Sequence, residues 1–503
     1  MEKVVSAMKK FSSYRIRKLI VCILFSGLPF ILTATQSLIC RQNLFLGVPH
    51  NSDEFCYWRV LYSFSKCGFD FGSTCGYLNS EATIGPLGEH GLATLFAWGG
   101  SLLFGSVTEN TLFLWNLAVL SIALLIFWIV IKPNINIALW VIALLIGNGV
   151  LLEQWYSHMM EIPCLAIIIV SITIQLAFEK RREPWLFVLG VICVTYASFM
   201  RICYIILLFP MLVAIWPTAK GKRLKWQLSS FLIYILWFCG IRKISSLFMK
   251  QSESFLTNIN QSEDIFEKIT LLLDNFISNF KSYFSFHSGT NIEIGQRYFQ
   301  VCLFIILLIS AFTKTENHKF KICIQQKYLS QAISLAGLVF MILLLYDVYS
   351  WRDVRTTMPY TTGVAIWYII NNIREKNNNY LRISLLCCCF ITLFIFAPPR
   401  YRVNHPEDRF TRVEVDDKWI ADLPNEKCIL CLYNNNNLNS KNQFLLYQKL
   451  PPKMGVLIGR TTDKLESVNN IDYILTTEEL VMENYELWYT SEDYGLIYRK
   501  IHQ

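Results

Sequence analysis

The sequence predicts an α-helical polytopic membrane protein with about eleven transmembrane helices and a small α/β domain at its C-terminal end. Three observations predict it. The chain has 503 residues, 53% of them hydrophobic and only 17% charged, where a soluble protein would be about 25% charged. Apolar windows of about fifteen to twenty-two residues recur, each long enough to cross a bilayer as a helix. Charged residues return in strength only after about residue 397.

The first element is a basic opening, with Lys3, Lys9, Lys10, Arg15, Arg17 and Lys18 ahead of an apolar run from Leu19 to about Leu38. The run is long enough to span and has no convincing small-residue cleavage site, so it reads as an uncleaved first helix with its N-terminus in the cytoplasm. Later candidate spans are 111–131, 135–152, 161–178, 185–200, 202–216, 227–248, 298–313, 329–346, 359–373 and 383–397. The basic connectors 179–183, 218–225, 314–327 and 371–382 all fall in the cytoplasm if the run 91–107 is left out of the count. That run holds Gly91, Gly99, Gly100 and Gly105 and reads better as a juxtamembrane helix on the outer surface. The first outer loop then covers about 40–110 and is long enough to be functional. Residues 1–397 form the transmembrane module, and 398–503 form an extracytoplasmic α/β domain of short β-type runs separated by turns such as 434–437. A bacterial inner (plasma) membrane is the expected location.

The formal charge of +9 could suggest nucleic acid, but Lys and Arg cluster between apolar runs, where they orient the chain instead. Most of the sixteen Cys lie inside apolar runs and act as small hydrophobes. Cys67 and Cys75 fall in the first outer loop, where they form a disulfide if the compartment is oxidising and remain thiols otherwise. The Cys428-x-x-Cys431 pair lacks a second pair at zinc spacing.

The residues suited to chemistry crowd one membrane face. Asp53 and Glu54 open a helix just beyond the first span, followed by Phe55, Tyr57, Trp58 and Arg59. Two acids in a first turn can merely complement the helix dipole. At a membrane boundary, however, a carboxylate costs desolvation unless it is partnered or used. Downstream, Glu89 and His90 follow a Gly-Pro turn; they are either part of that turn or a ligand pair for a divalent cation, or groups that orient a sugar. Glu161 opens a span with Pro163 in its first turn, as a dipole-complementing residue or as a second carboxylate facing the same cavity. Arg201, Arg352 and Arg355 lie near the same face, where guanidinium forks suit phosphate oxygens.

On these residues the chain resembles the GT-C superfamily of integral-membrane glycosyltransferases, particularly protein O-mannosyltransferases and lipid A aminoarabinose transferases. Asp53-Glu54 stands where those proteins open their first outer loop with Asp-Glu. Gly85-Pro86-Leu87 and Leu103-Phe104-Gly105 resemble the Pro-Pro-Leu segment and the Phe-Gly end of a surface helix. Glu161-Ile-Pro163 and Arg355-Thr-Thr-Met-Pro359 resemble two further motifs at span starts. The second Pro is missing at residue 85, and His90 follows the Pro rather than preceding it.

The resemblance implies a polyprenyl-phosphate-linked sugar donor and a lipid, glycan or protein acceptor. It implies single displacement with Asp53 as base, Glu54 and Glu161 orienting the acceptor or the base, and Tyr57 and Trp58 stacking on a sugar. Arg59 joins the substrate-binding residues, and Arg201, Arg352 or Arg355 would stabilise the leaving phosphate. Two rival readings are an envelope polysaccharide polymerase or ligase, and a non-enzymatic membrane subunit. A transporter would carry acids and Pro/Gly breaks near mid-span, whereas the ionisable residues here crowd one interface, which argues against transport.

Overall fold

The computed structural model describes residues 16–49, 52–68, 70, 76–77, 97–102, 105–215, 220–248, 264–285, 291–314, 322–345, 354–375, 379–395, 417–434, 440–459 and 471–501. Two apolar runs that the sequence presents as single spans are bent. Helices α1 (Ile16–Ser26) and α2 (Leu28–Cys40) meet at 68°, with Gly27 between them and Pro29 in the first turn of α2. Proline there has no N–H to lose and starts a new helix readily. Helices α5 (Ile135–Gly147) and α6 (Gly149–Trp155) meet at 78°. The Asn148 side chain between them accepts from Leu151 N at 3.1 Å and caps the second helix. Between α2 and α5 lie the juxtamembrane helix α3 (Ser52–Cys67) and the span α4 (Thr111–Ile131).

The bundle is organised around α7 (Glu161–Arg181). Its sequence is apolar on all sides, and 89% of its spanning window is buried, as expected of a helix with no lipid-facing stripe. Helix α7 packs on α4, on α8 (Pro184–Met200), and on a later buried helix, α14 (Val354–Arg374). A 3₁₀ turn over Ile202–Leu207 leads into α9 (Leu208–Ala214), followed by α10 (Lys220–Phe248), α11 (Ile265–Phe284), α12 (Asn291–Ala311), α13 (Gln326–Leu345), α14 (Val354–Arg374) and α15 (Asn379–Ile395). Gly363 of α14 allows the closest approach to α7. A Cβ added there would stand 2.5 Å from Ile168 Cγ2 and 2.8 Å from Ile172 Cδ1.

Among the described residues, each candidate span named from the sequence is helical over most of its length. By length and composition, four described helices can cross a membrane, or six if each bent pair counts as one span. Helices α8 and α15 and the run 202–214 are apolar but shorter. Of the expected surface run 91–107, residues 97–102 are helical, and 91–96 and 103–104 lie outside the described residues.

The C-terminal domain is a six-stranded mixed sheet. Strands β4 (Ile429–Tyr433), β5 (Gly455–Gly459) and β6 (Tyr473–Thr476) are parallel, with α17 (Ser440–Lys449) crossing between the first two. A short helix, α16 (Lys418–Ala421), precedes them. The hairpin β7 (Tyr485–Ser491) and β8 (Gly495–Lys500) adds antiparallel to β6. Gly495, at φ +96, closes the hairpin in a conformation that glycine alone adopts cheaply. The other edge is completed from far away in sequence: β1 (Gly76–Tyr77), between α3 and α4, pairs parallel with β5. The ribbon β2 (Phe312–Lys314) and β3 (Ile322–Ile324) joins α12 to α13.

Of the two states that the sequence leaves open for Cys67, the structure has the thiol. It is Cys56, on α3, that is disulfide-bonded. Spacing within a loop cannot say which of three nearby cysteines the fold turns toward a partner.

Candidate active site

Helix α3 is the element on which the site is built, and it is two-faced at helical spacing. Tyr57 and Leu61 pack into the core of the transmembrane bundle. Phe55 and Trp58 belong instead to the core of the C-terminal domain, with Cys56 and Tyr62 packed beside them. The helix is therefore a wedge between two bodies.

The bundle-facing side gathers acids and arginines from four helix ends. Asp53 Oδ2 lies 3.5 Å from Arg355 Nη2, in the first turn of α14. Glu161 Oε1, at the start of α7, accepts from Arg201 Nη2 at 2.7 Å, just past the end of α8. The first pair is partly exposed, at 38% for the Asp53 side chain, and the second is buried. Tyr57 is within electrostatic reach of both. Burial pushes its phenol well above the ordinary value, and Asp53 and Glu161 push the same way, while Arg201 and Arg355 oppose them. All four charged groups thus act on one hydroxyl.

The second pair leaves bonding capacity unused. Glu161 Oε2 and Arg201 Nε are buried and have no hydrogen-bond partner among the described residues. Buried polar atoms are nearly always bonded, to protein or to ordered water, so each such exception calls for a partner or a role. A further contact was not singled out from sequence: His158 Nδ1 lies 3.5 Å from Glu54 Oε2, both side chains buried. Its neighbour Met159 places Sδ 3.9 Å from Arg355 Nη1 and accepts from Asn116 Nδ2 at 2.8 Å through its carbonyl. The available signal was proximity, since His158 stands three residues before Glu161, in the connection that leads into α7.

The other side of α3 takes two predicted site residues away. Trp58 is 1% exposed, stacks on Tyr62 at 5.2 Å, meets Phe444 edge-on at 5.1 Å, and donates to Thr108 O at 3.1 Å. Arg59 is fully buried and donates to the carbonyls of Tyr447 and Leu450 at 2.9 Å, Met454 at 3.2 Å, and Pro451. These carbonyls gather at and beyond the C-terminal end of α17, the negative pole of its dipole. Burial holds the Arg59 guanidinium down at about 10. Neither residue faces the acid–arginine cluster. Glu89, His90 and Arg352 lie outside the described residues. Among the described residues no three His, Cys, Asp or Glu side chains are grouped to hold a metal ion.

No family model matches the chain, and no curated protein matches it either. Among solved structures it is similar to the crystal structure of ArnT from Cupriavidus metallidurans in the apo state, at 10% identity over 98% of each chain, with a TM-score of 0.34. A superposition that loose decides neither fold nor activity.

Proposed function

We propose that the protein is an inverting membrane glycosyltransferase that moves a sugar from a polyprenyl-phosphate donor to an envelope lipid, glycan or protein. The chemistry occurs on the extracytoplasmic face of a bacterial inner membrane. The observation that supports this best is the convergence of the Asp53–Arg355 and Glu161–Arg201 pairs around Tyr57, with buried valences left open on Glu161 and Arg201.

Asp53 is the base. It takes the proton of an acceptor hydroxyl as that oxygen attacks the anomeric carbon. The leaving group is already a phosphate, so it needs positive charge rather than a proton. Arg355 and Arg201 supply that charge. The Asp53–Arg355 contact, at 3.5 Å, is longer than a good hydrogen bond and is easily exchanged for a phosphate oxygen. Donor binding thereby draws Arg355 away and raises the basicity of Asp53 just when a base is needed. Glu54, tied to His158, and Glu161 orient the acceptor and the arginines, and one in-line attack inverts the anomeric centre.

The test is transfer of radiolabelled sugar from polyprenyl phosphate by the purified protein in lipid, against a panel of lipid, glycan and peptide acceptors, with the product anomer assigned by NMR. An inverted product supports the reading. Retention of configuration, or no transfer from any polyprenyl-phosphate sugar, contradicts it.

A further inference from the structure

The helices that open at the acid–arginine pairs build a second polar cavity at their other ends. Helix α7 runs from Glu161 to Arg181, a rise of about 30 Å at 1.5 Å per residue and close to the hydrocarbon thickness of a bilayer. Helix α14 likewise runs from the Arg355 turn to Arg374. Between these far ends and the first turns of α13 lies a cavity of about 470 Å³.

Its lining is split by chemistry. Lys180, Arg182, Lys327 and Arg374 bring four cations from three helix ends, with Ser330 among them, while Leu176, Pro210 and Val213 form an apolar wall. Glu179 also lines it and is held by Gln175 Nε2 at 2.8 Å. Lys327 pairs with Glu375. Even with both carboxylates counted, the cations are in excess.

Basic residues at helix C-termini often do no more than offset the dipole. Here, among the described residues, Arg182 and Arg374 each give one nitrogen to a carbonyl, of Ala214 and of Ile131 (3.3 Å) respectively, out of five N–H donors apiece. Lys180 is exposed and has no ion pair among the described residues. The groups surround a concavity, and the start of α13 adds the positive pole of its own dipole.

We propose that this cavity binds the phosphate head group of an anionic glycerophospholipid in the leaflet opposite the acid–arginine site. The cations take the phosphate, and the apolar wall takes the glycerol and first methylenes. Basic pockets between helix ends recognise anionic lipids by this division.

The test is titration of the purified full-length protein in detergent with dihexanoyl phosphatidylglycerol, dihexanoyl phosphatidylcholine and inorganic phosphate, reading bound ligand by native mass spectrometry. The readout is binding, so it stands apart from any transferase activity. Phosphatidylglycerol binds in preference to phosphatidylcholine. Lys180→Gln, an exposed position that leaves the fold intact, weakens it about five-fold, the value of one cation near an anionic surface. Ser330→Leu, which fills the cavity without changing charge, weakens it further, and Arg17→Gln, on α1 outside the cavity, leaves it unchanged. Equal binding of the two lipids, or no change in Lys180→Gln, overturns the proposal. Displacement by inorganic phosphate at comparable concentration also overturns the lipid assignment and gives the site to a soluble phosphate.

Discussion

The two faces of α3 hold buried polar groups in opposite ways. On the side of the C-terminal domain, both terminal nitrogens of Arg59 are engaged by four carbonyls, and Phe55 and Trp58 are sealed into an aromatic cluster with Phe444. Only its Nε goes unbonded. On the bundle side, Asp53 meets Arg355 at a loose 3.5 Å, and the buried Glu161 engages Arg201 through one oxygen while its other is unbonded. On one face an arginine is held by backbone carbonyls, and on the other two arginines are held by carboxylates. The contrast separates residues that hold α3 from residues that α3 presents, although all lie within seven positions of one another.

The comparison is broken most severely at the buried ion pair. Arg201→Met should cost about 3–5 kcal/mol, because it strands the Glu161 charge, and it should abolish transfer. The double variant Glu161→Gln/Arg201→Met should recover most of that stability in a denaturant titration without recovering transfer. Recovery of both would make the pair a structural strut. Next, Arg59→Ala should cost about 3 kcal/mol by leaving the carbonyls beyond α17 without a donor. Proteolysis between the bundle and the C-terminal domain should accelerate, while the detached bundle stays folded. A smaller effect, about 1–3 kcal/mol of overpacking, is expected for Gly363→Ala, whose Cβ meets Ile168 and Ile172 of α7. Its thermal midpoint should fall, with kcat more affected than KM, since Arg355 and Glu161 would be pushed apart.

The smallest effect concerns the rim of the joint between α3 and the C-terminal domain. Asp70, just past the end of α3, meets Lys427 at 2.8 Å and Lys453 at 2.9 Å in the C-terminal domain, and these hydrogen bonds hold its carboxyl down at about 2. A depressed pKa means that the contribution is complete above about pH 4, near the unfolded value, and is lost as pH falls toward 2. Tryptophan fluorescence should therefore report a loosening of the joint across that window in wild type. In Asp70→Asn that acid-dependent change should be missing.

Much of this was readable from residue order. Apolar windows located the helices, because burial in lipid demands runs of a fixed length. The charged residues of the bundle-facing cluster all stand at helix ends beside such windows, where a charge must be justified. The two bends were not readable, since Gly27 and Asn148 sit inside continuous apolar runs. Nor was the allegiance of α3. Arg59 follows the acids by a few positions, and only the carbonyls of a helix nearly four hundred residues away decide that it turns from them. The pairing of β1 with β5 is hidden for the same reason, because a two-residue strand has no periodicity to detect. His158 lacked a pattern of its own and became visible only when Glu54 was placed beside it.

The most direct measurement is sugar transfer from polyprenyl phosphate by Asp53→Asn against wild type, in the same lipid, with folding checked by thermal midpoint. The substitution keeps the shape of the side chain and removes the base. A fall of about 10²–10⁴-fold in kcat at an unchanged midpoint is the predicted result. Wild-type transfer by the variant would contradict the account, leaving Asp53 as a helix-start residue and the bundle-facing side of α3 without a chemical role.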